Sequence, residues 1–163
     1  MSLVLRSLTG AYRIPVIDIF NYYIENSFAA YPDRKVPYAF FDILLKAAEE
    51  YPALVAEDEQ DQVVGFGMLR AYHPFPVFSK TAEISYFIKP EWTGKGLGDL
   101  LLTSLIQKAK RKGIHSLLAS VASLNEPSLK FHKKHGFIEC GRFRKIGEKK
   151  GQAFDVVYMQ KML

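Results

Sequence analysis

Gly94, Gly96 and Gly98 stand two residues apart, with Lys95 and Leu97 between them and Asp99 just after. That spacing suits the holding of an anion. Glycine lets the backbone come close to a phosphate, the N–H groups of a turn point at it, and a helix starting there adds partial positive charge. The flanks agree. Thr81–Ile88 alternates and is rich in β-branched and aromatic residues, a strand that Pro90 stops. LLTSLIQKAKRK is leucine-rich at helical spacing and runs to Gly113, a good helix terminator. Glu83 lies inside the strand among apolar neighbours, on the face that carries Ser85 and Phe87. A carboxylate isolated in a partly buried cleft is a candidate base near neutral pH, because desolvation disfavours its charge.

Three phosphate-binding patterns compete for the loop. GxxxxGK[ST] fails, because Gly96 follows Lys95 and no glycine stands at the upstream place. GxGxxG fails because its third glycine comes one place early, and the next strand candidate, Ser116–Ser120, ends in serine where an acid is needed. The [QR]xxGx[GA] pyrophosphate loop of the GNAT acetyltransferases fits better. Read from Thr93 the chain gives T-G-K-G-L-G, with Gly96 and Gly98 at the two small positions and Thr93 where Gln or Arg is usual. Asn125–Phe137, NEPSLKFHKKHGF, resembles the N-x-[PA]-S-x-x-x-[YH]-x-x-x-G-F segment of the same superfamily, at a matching distance. GRFRKIGEKKGQAFDVVYMQ resembles the ending G…GxKxGxxxDVxxMQ of the phosphinothricin acetyltransferase branch, and TAEIS and VAEDEQDQVVGFG are also similar to that branch. The resemblance spans essentially the whole chain and is strongest over residues 54–160.

The resemblance implies a single GNAT domain over residues 1–163, an α+β fold with a mixed, mostly antiparallel sheet of about seven strands flanked by helices. It implies acetyl-CoA as cosubstrate, no metal, a small amine as acceptor and a homodimer. The phosphates would lie on Gly94, Lys95, Gly96, Leu97, Gly98 and Asp99. The pantetheine arm would lie where the strand before the loop splays from its parallel neighbour, against the main chain of Tyr86, Phe87 and Ile88, with an N–H near Phe87 polarising the thioester carbonyl. Asn125, with Ser128, would bind the pantetheine amide. Glu83 matches the glutamate of the T-x-E-x-[ST] strand and would act as base, directly or through water. His132 stands where many of these enzymes carry a tyrosine general acid, and would protonate the thiolate. His135, Asp155 and Gln160 are read as structural. His73, in the proline loop, is a weaker candidate for touching the acceptor.

One departure bears on specificity. The branch commonly has R-x-A-Y before its T-x-E strand, whereas this chain has Phe75 and Phe78 in those places. The guanidinium that pairs with an acidic substrate is missing from its usual place, and Arg70 is the available substitute. An amino-acid analogue such as phosphinothricin or methionine sulfone, a peptide N-terminus and a small amine all stay open as acceptors. A non-catalytic acyl-CoA-binding module is the rival from another class, and Glu83 and His132 argue against it.

The bulk properties fit this reading. The 163 residues suit one ordinary domain, and 48% hydrophobic with 13% aromatic residues can fill a core. No apolar run has the ~20 residues of a membrane span, and the start of the chain lacks a signal-peptide pattern. Cys140 is the only cysteine, so an intramolecular disulfide or cysteine-based metal site is excluded, and a reducing cytoplasm is the expected compartment. Residues 1–80 carry net −3 and residues 81–163 net +8, so the positive half holds the phosphate loop. A basic surface also suits nucleic acid, but no motif for it is present.

In chain order, Leu3–Arg6 reads as a strand and Tyr12–Ser27 as an amphipathic helix with Pro15 in its first turn. Ala30–Val36 is a loop, and Pro37 opens a second helix to Glu50. Leu54–Glu57 and Gln62–Arg70 form a hairpin. Tyr72–Ser79 is a loop at the pocket, Pro127–His135 a short helix, and Phe137–Ile146 with Phe154–Met162 a closing pair around Gly147–Gly151. A strand–helix–strand crossover makes Ser116–Ser120 parallel to Thr81–Ile88.

Overall fold

A computed structural model describes residues 2–163. The strands are β1 (Val4–Ser7), β2 (Ala53–Glu57), β3 (Val63–Ala71), β4 (Thr81–Ile88), β5 (Ser116–Ala122), β6 (Ile138–Lys149) and β7 (Gln152–Met162). They form one sheet in the order β1-β2-β3-β4-β5-β7-β6. Only β4 and β5 run parallel, as the crossover through the helix between them requires. The helices are α1 (Arg13–Asn26), α2 (Phe41–Ala47), α3 (Leu97–Arg111) and α4 (Glu126–Lys134). This is the mixed, mostly antiparallel α+β architecture expected.

Alternation in β4 decides what packs on each face. Ala82, Ile84, Tyr86 and Ile88 turn toward Leu97, Leu101 and Leu105 of α3. Phe87 turns the other way, against Phe66 and the α1 residues Ile17 and Phe20. The three α3 leucines are fully buried, and each such side chain contributes roughly 1.5–3 kcal/mol. α3 lies close on the sheet because β3 presents Gly67, where a Cβ would come within 3.0 Å of Leu105.

Boundaries differ from expectation in two places. The second helix is shorter. Tyr38–Phe40 is a 3-10 turn and α2 ends at Ala47, leaving Tyr51 at the rim and only Phe41 of the helix fully buried. The closing pair is longer: β6 and β7 continue through Gly147 to a two-residue turn at Lys150 and Gly151, both at positive φ, the primed geometry that matches strand twist. Gly147 is therefore a strand residue. A Cβ there would lie 2.3 Å from the ring of Phe154 opposite, so glycine admits the ring and breaks no strand. Asp155 braces the bulge earlier in β6. It accepts from the Lys145 N–H at 2.8 Å and from Arg142 at 3.0 Å, and these contacts hold its carboxyl below its ordinary pKa. Gln160 donates to Ser116 Oγ at 2.9 Å. Both side chains are thus engaged within the protein, away from the cleft lining.

The feature that positions the site is the join of β4 and β5. They pair only at Thr81–Ser116, Ala82–Leu117 and Glu83–Leu118. Beyond Glu83 the strands diverge, and the rest of β4 faces a gap.

Candidate active site

A cleft of about 790 Å³ runs from the glycine turn into that gap. Its floor is Tyr86, Phe87 and Ile88. One end is Gly94, Gly96, Gly98 and Asp99, and one wall is Asn125, Ser128 and Phe131. A narrow extension of about 70 Å³ passes between Ile84–Phe87 of β4 and Ala119–Ala122 of β5, and His132 lines it. Another hollow, of about 530 Å³ beside α2, is lined by Leu45, Pro52 and Lys112 and holds none of these residues.

The glycine turn is built as its spacing requires. Gly94 and Gly96 have φ of +71° and +85°, and a Cβ on either meets nothing within 4 Å, so the space beside them is open. Gly96 caps α3. The first N–H groups of that helix have no partner within it and carry its positive pole. Gly98 has a different role. A Cβ there would stand 3.2 Å from the Phe131 ring, so glycine lets α4 approach α3.

Not every predicted loop residue offers a side chain. Leu97 is fully buried in the core. Lys95 does not line the cleft, and its ammonium lies 5.5 Å from the centre of the Trp92 ring. The Asp99 carboxylate comes within 2.5 Å of His135 Nε2 and 3.9 Å of Lys134 Nζ, joining the start of α3 to the end of α4. Thr93, where Gln or Arg is usual, donates its hydroxyl to Pro90 O at 2.7 Å and so closes its own turn. Asn125 caps α4 through Oδ1, which accepts from the Ser128 N–H.

The chemistry-bearing side chains divide between the two faces of β4. On the α4 face, His132 is 4% exposed. Its Nδ1 lies 2.7 Å from Ser128 O, which can only accept, so Nδ1 carries the proton. Nε2 is then an acceptor, and Tyr86 Oη donates to it at 2.5 Å. Burial holds His132 below its ordinary pKa, which keeps the ring neutral. Burial also pushes the Tyr86 phenol well above its ordinary range. A neutral His132 with an accepting Nε2 presents no proton of its own to the gap; the proton there belongs to Tyr86. Tyr86 was expected to serve through its main chain alone. The signal that could have exposed its hydroxyl is the pairing of strand and helix faces across 46 residues, which needs the fold.

On the opposite face Glu83 is not isolated. It stands directly across from Arg70 in the β3–β4 ladder, and Arg70 donates to its carboxylate at 2.7 Å and to Ser85 Oγ at 2.5 Å. The premise of an unpaired carboxylate is thus corrected: the charge is balanced within the protein by cross-strand pairing. The same pairing engages Arg70, the candidate substitute for the missing guanidinium. Tyr31 reaches this region and contacts the Ser120 hydroxyl at 3.1 Å. His73 sits among Phe75 and Phe78, ring centres 4.9 and 5.0 Å away, in the loop before β4. Sequence reasoning did not find Tyr23, whose hydroxyl donates to Ile88 O within the cleft, nor the Ser27–Ala29 wall.

Residues 16–137 match the model of the Acetyltransferase (GNAT) family. The chain belongs to this family. It is 33% identical over 149 residues to an L-methionine sulfoximine/L-methionine sulfone acetyltransferase of Pseudomonas aeruginosa, covering 89% of this chain and 86% of that one. A ribosomal-protein-alanine N-acetyltransferase from Brucella melitensis superposes with TM-score 0.91 at 32% identity, over 98% of this chain and 99% of the other. A GNAT phosphinothricin acetyltransferase from Sinorhizobium meliloti, in complex with AcCoA, superposes with TM-score 0.94 at 26% identity, over 100% and 89%. The protein is an acetyl-CoA-dependent N-acetyltransferase. The GNAT cleft fits its cosubstrate: open glycine amides at the helix start for the diphosphate, and unpaired strand edges for the arm. Among the described residues no group of three or more His, Cys, Asp or Glu is placed to hold a metal ion, and no helix is long and apolar enough to cross a membrane.

Proposed function

We propose that this GNAT enzyme acetylates the amine of a small amino-acid analogue of the methionine sulfone and phosphinothricin kind, by direct attack in a ternary complex. The observation that carries the reading is the β4–β5 gap with Tyr86 and His132 on one face and Glu83 on the other. The β4 main chain at Tyr86, Phe87 and Ile88 holds the pantetheine arm, and an N–H near Phe87 polarises the thioester carbonyl. Glu83 takes the amine proton, directly or through water, while Arg70 holds the carboxylate in place. The Tyr86 hydroxyl turns its proton from His132 Nε2 to the departing thiolate and regains a proton from water, while His132 holds the hydroxyl in place between turnovers. Asn125 and Ser128 line the arm, and the α3 amides from Gly96 to Asp99 hold the diphosphate. Supporting the acceptor class are relatives named as acetyltransferases of L-methionine sulfoximine and L-methionine sulfone and of phosphinothricin.

Thiol release from acetyl-CoA over a panel of methionine sulfone, phosphinothricin, an alanine-starting peptide and a simple alkylamine tests this reading. The amino-acid analogues should exceed the peptide in kcat/KM by ~10-fold or more, about 1.4 kcal/mol of discrimination. Preference for the peptide overturns it. The same reading takes the enzyme as a cytoplasmic homodimer. In support, β6 lies at the sheet edge, with Ile138, Phe143 and Ile146 exposed along it. Sedimentation should give twice the 18.5 kDa chain mass.

A further inference from the structure

Lys149, the last residue of β6, is the lysine of the GxKxG ending, and nothing in the reaction uses it. It is 4% exposed. Its Nζ donates to Ser27 O and to Ala30 O, each at 2.7 Å. Both acceptors are main-chain oxygens just past α1, outside any helix or strand, so neither is paired in a regular ladder. An ammonium taken out of water is costly unless its protons are bonded, so the site is built around these two contacts. Burial pushes Lys149 below its ordinary pKa, with Lys150 adding to the effect and Asp33 opposing it.

The segment it grips is not an ordinary connection. Ser27, Phe28 and Ala29 form one wall of the coenzyme cleft, and Ala29 reaches the narrow gap where the acetyl group would lie. From Ser27 to Pro37 the chain is neither helix nor strand, so no ladder of hydrogen bonds sets its place. Its other holds are local and aromatic: Ser27 Oγ donates to Tyr23 O at 3.1 Å and accepts from the Ala29 N–H at 3.0 Å, the Tyr31 hydroxyl meets Ser120 Oγ at 3.1 Å, Phe28 packs edge-on against Phe154 with ring centres 5.6 Å apart, and Tyr31 stacks on the same ring at 6.1 Å.

We infer that Lys149 is a positioning residue for the coenzyme: its ammonium fixes the Ser27–Ala30 segment as a preformed cleft wall, and so sets the affinity for acetyl-CoA. The inference rests on the assignment of this cleft to acetyl-CoA. Preforming a wall removes the ordering that binding would otherwise have to impose, and this lowers Kd without touching the chemical step.

Calorimetric titration of coenzyme A into the full-length wild type and Lys149→Met tests it. The variant should bind ~10-fold more weakly while kcat at saturating acetyl-CoA stays within ~2-fold. Lys149→Gln, which keeps an N–H donor and is gentler on folding, should lose about 3-fold. Ile114→Val, a buried change just before β5 and away from the gap, serves as a destabilised control and should leave Kd unchanged. Unaltered affinity in either folded lysine variant overturns the inference, as does an equal loss in the control. Absence of heat with the wild type overturns the cleft assignment together with it, whereas wild-type binding with unaltered Lys149→Met overturns the tether alone.

Discussion

The two sides of β4 are built from different materials. The side proposed for the coenzyme is mostly main chain: glycine amides, a helix start and the free edge of a strand. The side proposed for the acceptor is mostly side chain: the Arg70–Glu83 pair, Tyr31 and the aromatic loop of Tyr72, His73, Phe75 and Phe78. A main-chain site tolerates change in its side chains and fails only where a Cβ intrudes. A side-chain site changes with almost any substitution. That contrast accords with relatives about one-third identical to this chain carrying differently named acetyltransferase activities.

Four substitutions or titrations break or sharpen the contrast. The largest effect belongs to Gly96→Val. A branched side chain at φ +85° costs about 1–2 kcal/mol in backbone strain and fills the open space beside the turn. Coenzyme A affinity should fall ~100-fold or more by calorimetry, and retained binding would detach the diphosphate from this turn. Next comes Tyr86→Phe. Loss of a positioned proton donor should lower kcat ~100-fold with coenzyme A affinity held, and an unchanged kcat at saturating substrates removes Tyr86 from the chemistry. Glu83→Gln should lower kcat ~10–100-fold, again with coenzyme binding unaffected. Should its main consequence be a weaker coenzyme Kd instead, the division of labour between the faces is wrong.

The smallest effect is one of pH. Burial depresses the pKa of His132 below its ordinary 6.5, so the unfolded chain binds that proton more readily than the folded one. The stability tied to neutral His132 is present above 6.5 and is lost as pH falls through that value toward the depressed folded pKa. A scan of Tm against pH should slope downward below 6.5, and His132→Asn should flatten it. Equal slopes in the two proteins would mean that folding leaves the proton affinity of His132 unchanged.

Much of the glycine turn and the strand and helix around it was readable from sequence because each feature is local. Glycines two apart, a strand before them, leucines after them and an Asn-x-Pro-Ser helix start all lie within short windows, and the crossover rule then orients β4 and β5. The acceptor side was less readable because its contacts are long-range. Arg70 meets Glu83 only once the β3–β4 register is set, and the Tyr86–His132 contact depends on a strand face meeting a helix face. Without them Glu83 looked isolated and His132 looked like a proton donor. The extent of β6 was misjudged for a related reason: Gly147 reads locally as a strand breaker, and only the ring of Phe154 across the ladder explains a glycine there.

The short seam between β4 and β5 has a mechanical consequence. Three residue pairs are all the ladder that joins the four-stranded half of the sheet to the three-stranded half. A slender extended molecule lying along both free edges completes the ladder where the protein leaves it open, so cargo and scaffold become one continuous fabric for as long as the cargo stays. A carrier seated there would add stiffness on loading and take it away on leaving, so the two plates would flex most when the enzyme is empty.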